Sequence, residues 1–173
     1  MILFLDFDGV LHPNEVYLSK SSLVELRGEG SLLMHVPVLE RLLAPYPQVR
    51  IILSTSWVRA IGFDFTLRQM QKLIPRSTLF NHIAGATWDP KMVREGRDPF
   101  DEWTRFQQIQ FHVRLNDVKN WIAIDDLYSG GEGWPEAHRE RLVLTESKLG
   151  LGSPEAQEEL RSKLANLVAR RRE

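Results

Sequence analysis

Polar clusters follow apolar runs at three places in the sequence, and their residue types can do chemistry. Two clusters are acidic and one is a run of hydroxyl residues. The runs before them are rich in aliphatic and aromatic side chains, which is typical of strands buried on both faces of a sheet. The clusters are Asp6 and Asp8 after residues 2–5, Ser54, Thr55 and Ser56 after residues 50–53, and Asp125 and Asp126 after residues 121–124.

If the strands are parallel, the clusters meet at the edge of the sheet where open α/β sheets bind ligands. Carboxylates gathered there repel one another and raise the pKa of some of them unless a cation lies among them. A hard divalent ion with oxygen ligands, above all Mg²⁺, suits such a cluster. A carboxylate beside the ion can attack phosphorus and form an aspartyl-phosphate. The second Asp of a pair can move the proton, and the hydroxyls can hold phosphoryl oxygens.

Each cluster also has an ordinary structural explanation. Asp and Gly favour surface turns, so the segment from Asp6 to Gly9 can be a turn. The hydroxyl run is typical of a helix cap or a loop, and the pair Asp125 and Asp126 is as typical of a turn as of a ligand set. The occurrence of all three clusters, each directly after an apolar run, favours the functional interpretation.

Strands and helices alternate along the chain, which predicts an α/β protein with a doubly wound, Rossmann-like parallel sheet. Residues 23–26 and 31–34 flank a Gly-containing turn and predict a small hairpin flap after the first strand. Apolar residues at three- and four-residue steps predict an amphipathic helix that starts near Phe100 and runs to Val113. Pro154 starts the closing helix, which ends in the basic run Arg170 to Arg172.

Length and composition limit the class of protein. The 173 residues fit one domain covering 1–173. The net charge of -1 provides no overall field for nucleic acid or an anionic membrane, so a polyanion would need a local patch. The absence of cysteine excludes disulfides, thiolate zinc sites and a cysteine nucleophile.

Nothing in the sequence indicates a membrane partner. No segment approaches the length that crosses a bilayer. The amino-terminal apolar run has no basic region before it and an acid at position 6, unlike a signal peptide. We therefore expect a cytoplasmic protein; the sequence does not determine its oligomeric state.

The motifs resemble those of the haloacid dehalogenase-like (HAD) superfamily of phosphotransferases and phosphatases. The details around His12 and Trp57 are similar to a bacterial and phage branch that occurs alone and as a module in RNA-repair proteins. The resemblance implies a three-layer fold and Mg²⁺-dependent hydrolysis of phosphomonoesters through an aspartyl-phosphate. Residues 6–11 match the first motif, residues 52–57 resemble the second, and residues 122–126 resemble the paired-acid form of the fourth.

The resemblance implies a role for each matched position. Asp6 would be the nucleophile and a Mg²⁺ ligand, and Asp8 the general acid/base whose backbone carbonyl also reaches the metal. Asp126 would bind Mg²⁺ directly or through water, with Asp125 beside it as an outer partner of the metal site. Thr55 suits the phosphate-binding hydroxyl best. The other residues predicted to bind substrate are Ser54, which competes with Thr55 by strand register, and Gly9, Ser56, Trp57 and His12, the last equally typical of an ordinary loop.

The third motif of the superfamily is a Lys or Arg that holds the nucleophile and the phosphate. Family members often begin the helix before the fourth-motif strand with a basic residue, followed by an apolar residue four positions later. Arg105 with Ile109 fits this pattern. Arg114 and Lys119 lie nearer the strand and are alternatives, and each of these cations can also be an exposed helix charge.

Substrate choice in the superfamily is normally set by an inserted cap domain, and this sequence has no room for one. An open site suits large substrates, so we expect RNA or DNA ends or nucleotides. Cations and aromatic residues in the loops, among them Arg59 and Trp88, can form a rim around it, or can simply be a packed Trp and a solvated loop. The alternatives are a phosphatase of a small metabolite with a lid from a partner, and a catalytically silent binding module.

Overall fold

The computed structural model describes residues 1–20, 23–131 and 133–169. The strands are β1 (Ile2–Leu5), β2 (Val16–Leu18), β3 (Val24–Leu26), β4 (Arg50–Leu53), β5 (Ile83–Ala86), β6 (Trp121–Asp126) and β7 (Leu142–Thr145). The helices are α1 (Val36–Leu43), α2 (Ser56–Ile61), α3 (Phe63–Leu73), α4 (Arg105–Leu115) and α5 (Pro154–Ala169). The basic run Arg170 to Arg172 lies outside the described residues.

Within these residues, five parallel strands form one sheet in the order β5-β4-β1-β6-β7. Side chains of the central strand β1 alternate between two cores. Leu3 and Leu5 join the core that includes residues of α1, α3 and α5, whereas Phe4 joins the core that includes Ile109 of α4. Because helices cover both faces, the strands are apolar on both sides. The predicted three-layer, doubly wound α/β fold is confirmed.

The hairpin flap is present, but its predicted strands are partly wrong. β3 pairs in antiparallel fashion with β2, not with residues 31–34. The Tyr17 hydroxyl donates to Glu25 Oε2 at 2.6 Å across the pair, and the Arg27 guanidinium lies 3.8 Å from the centre of the Tyr17 ring. Residues 31–34 instead turn into α1, because Leu33 is buried with a φ of 60° that no regular strand permits.

Helix α4 begins later than its apolar periodicity predicts. Asp98 caps a 3-10 turn at residues 99–101, and Thr104 then caps α4. The Thr104 hydroxyl accepts from the Gln107 backbone N–H and the Gln107 side chain accepts from the Thr104 N–H, which forms a capping box. Phe100 and Trp103 therefore precede the helix, and Arg105 is its first residue.

The insertions between the strands are small. In the described part of the chain, the hairpin and α1 lie between β1 and β4, and only short 3-10 turns lie between β5 and α4. No cap domain is present among these residues. None of the described helices has the length and apolar character that crossing a membrane requires.

Candidate active site at the carboxyl edge of the sheet

Three neighbouring strands bring the predicted clusters together. Leu5 of β1 is in register with Leu53 of β4 on one side and with Ile124 of β6 on the other. The residues that follow therefore lie side by side at the same edge of the sheet. Two backbone hydrogen bonds hold this edge: Asp6 N–H donates to Ile124 O at 3.1 Å, and Ser54 N–H donates to Leu5 O at 2.8 Å.

Asp6, Asp125 and Asp126 form a buried acid cluster at this edge. The sequence did not single out Ser129, yet its hydroxyl lies in the middle of the cluster. Its Oγ is 3.0 Å from Asp6 Oδ2 and 2.8 Å from Asp125 Oδ1, and it also contacts Asp126 Oδ1. A hydroxyl has one hydrogen, so it donates to one of these oxygens at a time and cannot satisfy all three.

Arg105 brings a positive charge to the same cluster. Its Nη2 lies 3.6 Å from Asp6 Oδ1, and its Nε lies 2.9 Å from Asp125 Oδ2. The Nε–H is not aligned with that oxygen and has no hydrogen-bond partner among the described residues, so the second contact is an ion pair without a hydrogen bond. Its Nη1 is 3.5 Å from Ser54 Oγ. The guanidinium therefore contacts Asp6, and its remaining N–H groups can donate hydrogen bonds to a further anion.

The alternatives to Arg105 lie away from the cluster. Arg114 is exposed near the other end of α4. Lys119 is exposed and pairs with Asp117. Of these three candidates, Arg105 is the one that the fold brings to Asp6, because the first turn of α4 faces the carboxyl edge of the sheet.

The crowded charges shift several pKa values. Burial raises the pKa of Asp6 well above its usual range, and Asp125 and Asp8 raise it further against the opposing effect of Arg105. Burial also raises the pKa of Asp125, which Arg105 opposes in the same way. Burial lowers the pKa of Arg105, but the surrounding carboxylates outweigh it and raise the pKa. Arg105 thus stays charged, and its one charge does not neutralise the cluster.

The acid cluster fits a hard divalent cation. Asp6, Asp125 and Asp126 each offer a carboxylate oxygen, and these oxygens lie within 4.8 Å of one another. Both Asp125 oxygens have protein partners, because Oδ2 faces Arg105 and Oδ1 accepts the Asp126 N–H at 3.0 Å. Asp126 Oδ2 is buried and has no hydrogen-bond partner among the described residues. An oxygen of this kind suits a cation such as Mg²⁺, which favours Asp126 over Asp125 as a direct ligand.

Gly9 lies against the same oxygen of Asp126. A Cβ at position 9 would be 2.4 Å from Asp126 Oδ2, and its φ of +71° favours glycine. The Gly9 carbonyl accepts the buried Thr145 hydroxyl at 2.7 Å. Gly9 is buried. The space beside it is filled by Asp126 and Thr145 and is not open to a substrate.

Asp8 has its own set of donors, which differ from the partners of the acid cluster. Trp57 Nε1 donates to Asp8 Oδ1 at 2.8 Å, and His12 Nε2 lies 3.1 Å from the same oxygen. Ser56 Oγ donates to Asp8 Oδ2 at 3.3 Å. Two predicted substrate contacts need correction here: the side chains of His12 and Trp57 are 0% and 2% exposed, so they are packed behind Asp8 and cannot meet a substrate.

The hydroxyl cluster forms the start of α2. Thr55 is its N-cap, with Oγ1 accepting from the Trp57 N–H at 3.4 Å. Thr55 and Ser56 line a cavity of about 230 Å³ that also reaches Arg105 and Ser129. Ser54 is buried beside Arg105 and does not line this cavity. The geometry therefore favours Thr55 over Ser54 for contact with a bound phosphate.

The outer wall of the cavity is aromatic more than basic. Its lining includes Trp88, Phe100, Trp103 and Arg59. Arg59 Nε donates to Asp98 Oδ2 at 2.7 Å and its Nη2 contacts Asp101, so its charge is already paired. Trp88 Nε1 also donates to Asp98 Oδ2, at 3.0 Å. The other loop cations, Lys91, Arg94 and Arg97, are exposed and do not line this cavity.

Comparisons with curated proteins and with solved structures found no significant match. Residues 2–156 match the family described as the HAD domain in Swiss Army Knife RNA repair proteins. The match covers the seven strands of the described residues and the whole acid cluster. The chain therefore belongs to this family of HAD domains, which indicates phosphatase-type hydrolase chemistry.

Proposed function

We propose that the protein is a Mg²⁺-dependent phosphatase that hydrolyses phosphomonoesters through an aspartyl-phosphate on Asp6. The placement of Asp6 carries this proposal. Its carboxylate lies between Arg105 on one oxygen and Ser129 on the other, beside a cavity lined by Thr55. A phosphoryl group in that cavity would have the nucleophile and a cation within reach, together with a hydroxyl donor.

In the first step, an Asp6 carboxylate oxygen attacks phosphorus, and the bond between phosphorus and the leaving oxygen breaks. The protonated Asp8 carboxyl gives its proton to that leaving oxygen, which departs as an alcohol. The guanidinium of Arg105 and the hydroxyl of Thr55, both of which line the cavity, are suited to stabilise the charge on the phosphoryl oxygens.

In the second step, water attacks phosphorus of the aspartyl-phosphate and gives a proton to the Asp8 carboxylate. The bond between phosphorus and the Asp6 oxygen breaks, so that inorganic phosphate leaves and both carboxyl groups return to their starting states. Asp6 and Asp126 would hold the Mg²⁺ ion. When bound, the ion neutralises phosphate charge and orients the phosphoryl group for in-line attack.

We propose nucleic-acid ends or nucleotides as the substrate class. The family is described from RNA repair proteins, which supports a phosphorylated RNA or DNA end. The absence of a cap domain among the described residues leaves the cavity open to a long substrate. The indoles of Trp88 and Trp103 in its wall are suited to contact a base or sugar. The paired charge of Arg59 argues against recognition by a broad basic surface.

Phosphate release tests the proposal. The protein is offered 4-nitrophenyl phosphate, sugar phosphates, and oligonucleotides phosphorylated at the 3′ or the 5′ end, with Mg²⁺ or with EDTA. Asp6→Asn should remove turnover, whereas the same change at the exposed Asp117 should not. Turnover that needs no metal or survives Asp6→Asn would refute the mechanism. Release from sugar phosphates but not from oligonucleotides would refute the substrate class, and no release from any substrate would favour a silent binding module.

A further inference from the structure

The two oxygens of the Asp8 carboxylate have different surroundings. Oδ1 faces two ring nitrogens, Trp57 Nε1 at 2.8 Å and His12 Nε2 at 3.1 Å. Oδ2 has only the longer contact from Ser56 Oγ, at 3.3 Å. Ser56 is exposed and lines the cavity, whereas both rings are buried. Oδ1 thus faces the interior of the protein and Oδ2 faces the side of the substrate.

The backbone determines which nitrogen of His12 carries the hydrogen. The Leu33 N–H donates to His12 Nδ1 at 3.3 Å, so Nδ1 must present a lone pair. The hydrogen of the neutral ring is therefore on Nε2, which donates to Asp8 Oδ1. Leu33 is buried and has a φ of 60°, an uncommon conformation for a residue other than glycine. This conformation directs its N–H toward His12 at some backbone cost.

Trp57 is also held in one orientation. Its indole packs edge-to-face on Phe7, with ring centres 5.3 Å apart, and the side chain is 2% exposed. An indole N–H is a donor only. Since both partners of Asp8 Oδ1 are donors, a proton on Oδ1 would face their hydrogens and would break one of the two contacts. Oδ2 remains the oxygen that can be protonated without loss of either contact.

We propose that His12 and Trp57 are positioning residues that keep Asp8 Oδ1 as a permanent acceptor and make Oδ2 the proton-carrying atom. This inference rests on the proposed function. Oδ2–H would give its proton to the leaving oxygen as the bond from that oxygen to phosphorus breaks. Oδ2 would then take a proton from the water that attacks the aspartyl-phosphate. Neither ring touches substrate, and both act only through the orientation of Asp8.

Leaving-group dependence separates positioning of an acid from general damage. An alkyl phosphate needs a proton on its leaving oxygen, whereas 4-nitrophenol leaves readily without one. His12→Asn and Trp57→Phe each remove one donor to Oδ1. Each variant should therefore lower kcat/KM for an alkyl phosphate at least tenfold more than it lowers kcat/KM for 4-nitrophenyl phosphate. This loss is smaller than that expected from removing a general acid completely, which is about 10²-fold to 10⁴-fold. Equal losses on both substrates would overturn the inference.

A matched variant tests whether the N–H at the position of Nε2 is what matters. His12→Gln can place an amide N–H near the former Nε2, whereas the shorter Asn side chain cannot. The alkyl phosphate activity should therefore be largely restored in His12→Gln relative to His12→Asn, with equal melting temperatures of the two variants as the control. Equal activities of two folded variants would count against the proposal.

The tautomer of His12 can be measured without any variant. In ¹⁵N-labelled wild-type protein, the ring nitrogens of His12 should show the pattern of a neutral ring with hydrogen on Nε2. A hydrogen on Nδ1, or a doubly protonated ring at neutral pH, would overturn the inference even if the variants fail to fold. Absence of all turnover would remove the proposed function and this inference together. Turnover with equal losses on both substrates would remove the inference alone.

Discussion

Replacing Asp6 by Asn should stabilise the metal-free protein while it removes activity. The ligand oxygens of Asp6, Asp125 and Asp126 lie within 4.8 Å of one another. At this longest distance and an effective dielectric constant of about 20, each of these two neighbouring carboxylates opposes the Asp6 charge by about 3.5 kcal/mol, and a shorter distance increases the repulsion. Arg105 at 3.6 Å offsets about 4.6 kcal/mol of this repulsion. The repulsion that remains, and that Asn should remove, is about 2 kcal/mol.

The gain in stability should depend on pH. The folded protein raises the pKa of Asp6, first through burial and then through Asp125, so it holds this proton to higher pH than the unfolded chain does. Wild-type stability is therefore fully present below the ordinary carboxyl pKa of about 4 and falls as the pH rises through the raised pKa. The advantage of Asp6→Asn should be smallest near pH 4 and largest near pH 8.

Unfolding in the presence of EDTA at these two pH values measures the effect. A gain of about 2 kcal/mol corresponds to a rise in Tm of about 4–8 °C for a chain of this length. If Asp6 is a Mg²⁺ ligand as proposed, Mg²⁺ should raise the Tm of the wild type more than that of the variant, because a ligand that binds only the folded state stabilises it. Asp117→Asn, with a side chain that is 82% exposed, is the matched control and should change little. Lower stability of Asp6→Asn at pH 8, or a gain equal at both pH values, would refute the reasoning.

Three further substitutions test the surroundings of the site. Gly9→Ala should remove Mg²⁺-dependent phosphatase activity, because the new Cβ would lie 2.4 Å from Asp126 Oδ2; activity near the wild-type level would contradict this. Thr145→Val should lower the free energy of unfolding in urea by about 1–2 kcal/mol, because the Gly9 carbonyl loses its buried hydrogen bond; an unchanged midpoint would contradict it. Glu40→Gln should lower the same free energy by about 1 kcal/mol at pH 7, allowing for solvent exposure. Burial raises the pKa of Glu40, but its hydrogen bonds, the one from Ser77 foremost, lower the pKa below the usual 4.5. The stability that the Glu40 carboxylate contributes is therefore lost as the pH falls through the lowered pKa. The difference in free energy of unfolding between Glu40→Gln and the wild type should disappear in acid.

Much of the fold follows from local patterns in the sequence. Runs such as residues 2–5 and 121–124 are apolar on both faces, which requires a sheet covered by helices on both sides. The position of polar residues directly after these runs predicts their meeting at one edge, because parallel strands place their carboxyl ends together. The hairpin strands were less predictable. β2 and β3 are only three residues each, too short for a two-residue period to be distinctive.

The chemistry of the candidate site depends on residue types that the sequence displays and on distances that it does not. The acid pairs, the hydroxyl run and Arg105 are recognisable because each follows a strand or begins a helix. Ser129 carries no such signal, since a Ser in a Gly-rich loop is ordinary, and only the turn after β6 brings its hydroxyl among the carboxylates. The same applies to His12, which is a common loop residue until the fold buries it behind Asp8.

The sequence by itself determined the order along the chain of the five strands that form the main sheet and the residues at their ends, because periodicity and strand length are local properties. The tertiary structure determined which partners each of those residues contacts. It turned Asp6 toward Arg105 and Asp8 toward Trp57, although one residue separates the two acids in sequence. The alternation of side chains along a strand cannot predict these partners, because burial and charge at the edge of the sheet depend on residues that are distant in sequence. Ser129, for example, contacts Asp6 from 123 positions away.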